Sequence, residues 1–424
     1  GSPEYSSEKN VLGEIKAFGS EIKSILEHPE FKKEVNHEAV FNYLRFQYNP
    51  IPETFFKNIF SLPPGHTLTI DTKAGTHNIE QYYDFSFAPN ESLDLEKTKK
   101  EIVATLRDSV AHHMISDVPV GSFLSGGVDS SIIAVLMNEI IEKEKPGTKN
   151  KTFTVGFDVL TEGKEALTTS NFLGTDHTEI TIDPSQYFEA LPRLVWHFDE
   201  PVADPSAIGL YFVAKEARKK VTVVLSGEGA DELFGGYNIY LQPIDQKSLA
   251  WIPAWFLTLL TKMPFEFWGK NHAKRALQKL EDWYIGNASI FTQSQINRLW
   301  KGTQPEKHTL APLYKRSTKN GKASDSQKMQ YVDIHTWLVG DILAKADKMT
   351  MANSLELRVP FLDIEVAKLA RTLPDAFKWK GGVTKYALRE AFKGIIPEET
   401  RHRRKLGFPT PIRTWLRDPL CPAY

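Results

Sequence analysis

Apolar residues along this chain recur in two rhythms, and the alternation between them predicts the fold. Val118, Val120, Phe123 and Leu124 make a short apolar run, after which Ile132, Ile133, Val135, Leu136 and Ile140 recur at roughly helical spacing. The alternation then repeats. Thr152–Phe157 and Thr178–Ile182 read as strands, a helical stretch follows, and Val221–Leu225 reads as another strand. Upstream, Leu95–Met114 reads as a helix with Ile102, Val103, Leu106 and Val110 on one face. Short apolar strands separated by helices predict an α/β fold with a doubly wound parallel sheet, whose ligand lies beyond the carboxyl ends of the strands.

The flanking regions read differently. Residues 238–424 are mostly helical in pattern and predict a helical C-terminal extension. Residues 1–87 read as a β-rich fragment, too strand-edged for a complete domain. Within it, Ala17–Leu26 predicts a strand running into a short helix, and Leu62–Ile70 a turn into a strand. Pro89–Ser92 reads as a linker. The apolar stretch Leu249–Leu260 is too short to span a bilayer and predicts a core or interface helix.

Composition narrows the functional classes. A chain of 424 residues has room for two domains, and a net charge of −1 offers no field to draw nucleic acid. Neither nucleic acid nor a membrane is expected as a partner. The single cysteine, Cys421, excludes a disulfide framework and fits a reducing cytoplasm, so the sequons at Asn90 and Asn287 carry no weight. Gly1-Ser2 resembles a vector-derived scar. The densest basic run, Arg401–Lys405, is either a solvated face or a clamp for phosphates.

The candidate chemistry sits in two glycine-rich turns. In Gly121–Ser131, Gly126 and Gly127 let the backbone turn tightly, while Ser130 and Ser131 fall at a helix N-terminus suited to phosphate. A carboxylate there, Asp129, makes sense beside a polyphosphate only with Mg²⁺ between them. No lysine follows the glycines, so this is not a Walker A loop. Ser226–Tyr237 also follows a strand and carries Glu228, Asp231 and Glu232. These acids either cap a helix in water or, through Asp231, share Mg²⁺ with Asp129.

Ser125-Gly-Gly-Val-Asp-Ser130 resembles the pyrophosphate loop (PP-loop) of ATP pyrophosphatases, which split ATP into AMP and pyrophosphate. Asp199–Ser206, Ser226–Tyr237, Lys345–Lys348, Ser354–Asp363, Gly381–Arg389 and Lys405–Pro409 together resemble the synthetase domain of glutamine-dependent asparagine synthetases, over nearly all of residues 100–415. Phe18–Lys23 and Leu62–His66 are similar to the last part of that family's Ntn-type glutaminase domain. The resemblance implies an adenine nucleotide α-hydrolase-like fold, with residues 1–90 belonging to the glutaminase-type domain and residues 91–424 to the synthetase.

By this resemblance, Leu124, Val155, Ser226 and Gly227 contact ATP through backbone groups. Ser125, Gly126, Gly127, Asp129 and Ser130 hold its pyrophosphate portion, and Asp129 and Asp231 bind Mg²⁺. Glu228 helps form and aminate an acyl-adenylate, Lys385 stabilises charge on the adenylating phosphate, and Glu356 and Arg358 line the substrate end. The implied reaction is ATP-dependent amidation, by default of aspartate to asparagine, with nitrogen from glutamine or ammonia and a homodimer as the family's frequent assembly. Related β-lactam synthetases carry Tyr where this chain has Glu228, which favours ammonia as the nucleophile. The same chemistry on another acid, such as a sugar uronate or a peptide, is the alternative, and a non-catalytic nucleotide binder a remote one.

Some residues read more blandly. His177 is expected to be structural, Lys345, Asp347 and Lys348 could pair among themselves on a helix, and Arg403 and Lys405 suit pyrophosphate or the surface equally. The family's glutaminase begins with a nucleophilic cysteine, whereas residue 1 here is Gly. As written, the chain is expected not to hydrolyse glutamine. Truncation or omitted segments explain this better than a natural variant, given the short segment after Phe157.

Overall fold

The computed structural model describes residues 15, 17–50, 52–157, 162–247, 251–263, 269–302, 310–318, 323–404, 407 and 410–417. Gly1, Ser2, Leu249, Lys405, Phe408, Pro409, Cys421 and the segment directly after Phe157 lie outside these residues.

A five-stranded parallel sheet organises the molecule. Its strands are β3 (Val120–Phe123), β4 (Lys151–Phe157), β5 (Asp176–Ile182), β6 (Val223–Leu225) and β7 (Glu356–Arg358), in the order β5-β4-β3-β6-β7. Every pairing is parallel, with Phe123 beside Phe153, Ser122 beside Leu225, and Leu225 beside Arg358. From β3 the chain winds outward through β4 and β5, then returns to the other side of β3 through β6. The strand order therefore reverses between β3 and β6, and the crevice above that point is where such sheets bind ligands.

Burial explains why the strands read as continuous apolar runs. All three residues of β6 are buried. Val223 and Leu225 join the core formed with α3 (Leu95–His113) and α4 (Val128–Glu144), while Val224 packs into the opposite core with α6 (Pro184–Phe198) and α7 (Ser206–Ala217). Both faces of the sheet are covered, as a doubly wound fold requires. Asp94 starts α3 by accepting from the Lys97 backbone N–H, and Asp183 starts α6 with a capping box.

Two expectations about the C-terminal half change. The helical region contributes the edge strand β7, and an antiparallel pair, β8 (Trp379–Lys380) and β9 (Val383–Thr384), interrupts it. Three residues reading Glu-Leu-Arg carry no periodicity, and only backbone pairing with β6 makes them a strand. The apolar stretch near 249–260 forms the helix Ala254–Thr261, which buries only Leu257; Trp251 and Trp255 are 81% and 70% exposed. It is not a core helix.

The N-terminal region is less β-rich than its sequence reads. It comprises α1 (Ile22–Leu26), α2 (His37–Phe46) and one antiparallel hairpin, β1 (His66–Asp71) with β2 (Thr76–Gln81). No strand forms over 17–21, and α1 after it is anchored by the Asp199 carboxylate, which accepts from the backbone N–H groups of Ile22 and Lys23. The segment expected to be a linker lies along the body built on the sheet. Ala88 and Asn90 donate to the carbonyls of Arg371 and Thr372, and Phe85 and Phe87 are buried in the main core.

Candidate active site

The first turn is tight and opens on the crevice. Gly126 has φ +68°, and a Cβ there would lie 2.6 Å from the Glu165 carbonyl carbon, so both conformation and space require glycine. Ser130 Oγ accepts from the Ser125 backbone N–H at 3.1 Å, which ties the turn to the start of α4. The free N–H groups and partial positive charge of that 17-residue helix face the crevice.

The second turn packs directly against the first at the end of β6. Between them lies Lys385, 3% exposed, whose Nζ stands 2.7 and 2.6 Å from the two Asp129 carboxylate oxygens and 2.6 Å from Asp231 Oδ1. Gly236 permits this approach, since a Cβ there would overlap both Asp231 Oδ1 and Lys385 Cε. Lys385 itself adopts a left-handed backbone, φ 53°, before the helix Tyr386–Ala391. For a residue with a side chain that conformation costs about 1 kcal/mol or more. One turn on, Arg389 is buried against the Thr384 carbonyl and faces Asp129 and Asp231 electrostatically; burial lowers its pKa.

Two carboxylates converging on one cation match the protein's share of a Mg²⁺ site, in which phosphates and water complete the shell. The residues therefore fit Mg²⁺ in chemistry. Among the described residues no group of three or more His, Cys, Asp or Glu side chains clusters as a self-sufficient metal site.

A cavity of about 690 Å³ opens here, lined by Leu124, Ser125, Gly127, Asp129, Ser130, Val155, Ser226, Gly227, Glu228, Asp231 and Lys385. The expected nucleotide and catalytic residues are thus brought together, with Gly126 placed just behind through its neighbours. Glu232 is buried and accepts from Tyr237 Oη at 2.7 Å; burial and the adjacent Asp231 raise its pKa.

Glu356 and Arg358 do not belong to this cavity. Arg358 donates to the carbonyls of His113 and Ile115 at 2.8 and 2.7 Å and to Glu356 Oε1 at 2.7 Å. The two residues tie the end of α3 to the sheet edge, and the expected substrate role is withdrawn. His177 is structural, its Nδ1 2.8 Å from Thr152 Oγ1.

The basic run is solvated only in part, since His402 and Arg404 are exposed while Arg401 and Arg403 are engaged. Arg401 is buried against Glu390 and Glu398, and Arg403 donates to the Gly126 carbonyl at 2.7 Å from the cavity wall. The two lysines of the helix Ala344–Met351 pair off the helix, contrary to expectation. Lys348 reaches Asp199 and Glu21, whereas Lys345 enters the cavity wall and contacts Asp204 and Ser206. Sequence reasoning gave Asp204 no role of its own and read Lys345 as a local partner of Asp347 and Lys348. The available signal was two charged motifs in otherwise apolar surroundings.

Comparison with known proteins agrees with this geometry. The family model described as asparagine synthase matches residues 101–424, and the one described as a glutamine amidotransferase domain matches residues 5–83. Glutamine-hydrolysing asparagine synthetase 1 of Bacillus subtilis is 47% identical over 407 residues, covering 95% of this chain and 63% of that protein. A Mycobacterium bovis protein is 42% identical over 415 residues, covering 95% and 62%. Glutamine-hydrolysing asparagine synthetase 3 of Bacillus subtilis is 29% identical over 409 residues, covering 92% and 61%. The chain thus spans a little under two thirds of the length of these relatives.

Proposed function

We propose a function from one premise: the chain belongs to the asparagine synthase family. In this reading it is an ATP-dependent carbon–nitrogen ligase that activates a carboxylic acid, aspartate by default, as an acyl-adenylate and transfers ammonia to it. Residues 91–424 carry this chemistry, and residues 1–90 are part of a glutaminase-type domain. The observation that carries the reading is the convergence of Asp129, Asp231 and Lys385 above the reversal point of the sheet, in one cavity with Glu228.

The chemistry follows from those residues. An oxygen of the acid forms a bond to the α-phosphorus of ATP, and the bond to pyrophosphate breaks in line. Ser125–Ser130 and the α4 N-terminus orient the departing pyrophosphate, while Lys385 neutralises charge spread over the phosphate oxygens. Asp129 and Asp231 would hold Mg²⁺, which supplies further neutralisation of phosphate charge when bound. Ammonia then forms the C–N bond at the acyl carbon, the C–O bond to AMP breaks, and Glu228 takes the proton that nitrogen must lose.

The test is pyrophosphate release from Mg-ATP and ammonium across aspartate and a panel of other carboxylic acids, repeated with glutamine. Release with aspartate supports the reading in full. Release only with another acid keeps the chemistry and replaces the substrate. No release with any acid contradicts it.

A further inference from the structure

Lys385 reaches Asp129 and Asp231 from a left-handed backbone, which a residue with a side chain keeps only when its surroundings impose it. Arg389, one turn along the helix Tyr386–Ala391, grips the peptide groups on both sides of that residue. Its backbone N–H donates to the Lys385 carbonyl at 2.9 Å, and its Nε donates to the Thr384 carbonyl at 2.8 Å. On the preceding flank, Thr384 lies beside Trp379 in the β8–β9 pair, and the Trp379 indole donates to the Gly235 carbonyl at 2.9 Å.

The same guanidinium has a second partner. Its Nη1 donates to the Arg401 carbonyl, and two residues on, Arg403 donates to the Gly126 carbonyl at 2.7 Å. Arg389 is buried, and its planar fork ties the Lys385 turn to the segment fastened on the first glycine turn, which leads into Asp129 and α4. A lysine at this position would carry the same charge on a flexible stem, with no fork to hold the two carbonyls at a set separation. Arg389 also lines the cavity and adds positive potential at Asp129 and Asp231, so charge and geometry must be separated in any test.

We propose that Arg389 is a positioning residue, which holds Lys385 in the conformation that sets its ammonium between Asp129 and Asp231 and acts on the site through Lys385. This deepens the ligase reading, in which Lys385 neutralises phosphate charge, but its test needs no turnover. Mn²⁺ affinity of the nucleotide-free full chain is measured by calorimetry for the wild type, Lys385→Met, Arg389→Lys and the double variant. Arg389→Lys keeps the charge, so a change reports geometry. It is expected to bind Mn²⁺ about fivefold more tightly than the wild type, most of the rise of about tenfold expected of Lys385→Met, because the released ammonium no longer occupies the carboxylates. In the Lys385→Met background the same substitution is expected to change nothing, since the residue it acts through is gone. Arg389→Gln carries the test if the lysine variant does not fold. It also removes charge, so only the part of its effect that Lys385→Met abolishes counts.

Additive effects of the two substitutions overturn the proposal, since Arg389 then acts on the carboxylates by itself. So does an Arg389→Lys variant with wild-type Mn²⁺ affinity and a lower melting temperature, the mark of a merely structural arginine. Equal affinity of the wild type and Lys385→Met overturns it as well, because Lys385 then has no placement to be held. A protein that shows the coupling yet releases no pyrophosphate with any acid contradicts the ligase reading alone.

Discussion

Lys385 sits where a divalent cation would also be attracted, and its ammonium and the metal compete for Asp129 and Asp231. Lys385→Met is therefore expected to raise the affinity of the nucleotide-free protein for Mn²⁺ by about tenfold, while lowering turnover by about a hundredfold or more. Calorimetric Mn²⁺ titration reads the first effect without catalysis, and an unchanged affinity would show that the carboxylates do not share a cation site. At this scale much of the site was legible. Asp129, Glu228 and Asp231 each follow glycines at the end of an apolar strand, so position and chemistry agree. The contact between Asp204 and Lys345 was not legible, because it spans 141 positions and Lys345 reads equally well as part of a local helix pair. The placement of Glu356 and Arg358 failed for a related reason. A motif shows which residues occur together, and only the edge position of β7 shows that Arg358 turns toward the end of α3 and takes Glu356 as its partner.

Among the elements, the short helix Asp375–Lys378 holds an informative titratable group. Lys378 is completely buried, donates to Gln330 Oε1 at 3.0 Å and lies 3.9 Å over the Phe87 ring. Burial lowers its pKa to about 7 from an unfolded value of 10.5. Between those values the unfolded chain binds a proton that the folded chain lacks, so this group's contribution to stability rises with pH. From pH 7 to 9 the gain is about 2 kcal/mol, and Lys378→Met is expected to remove it. Urea denaturation of both proteins at several pH values checks this, and parallel pH profiles would contradict it. The central strands were legible because burial on both faces made them continuous apolar runs. β7 was hidden by its three mixed residues, and the stretch around Trp255 misled because a high apolar content was read as burial.

Across the whole molecule, the N-terminal region and the sheet body meet at Asp199. Its carboxylate, 3% exposed, accepts from the Ile22 and Lys23 backbone N–H groups and pairs with the Lys23 and Lys348 ammonium groups. Asp199→Ala is expected to destabilise this seam by about 1–3 kcal/mol, the cost of leaving such partners unsatisfied. Hydrogen exchange should then accelerate at Ile22 and Lys23 far more than in β4, and uniform acceleration would show that Asp199 supports the entire fold instead. The sequence distinguished two regions but not their seam, because those contacts join residues roughly 150 to 180 positions apart. The central claim, that this cavity activates a carboxylate by adenylation, has a direct test. Aspartate labelled with heavy oxygen in its side-chain carboxylate is incubated with Mg-ATP and ammonium, and the nucleotide product is examined by mass spectrometry. The account predicts AMP carrying one labelled oxygen together with the amide. Unlabelled AMP alongside the amide, or label in inorganic phosphate with ADP as the nucleotide, would contradict it.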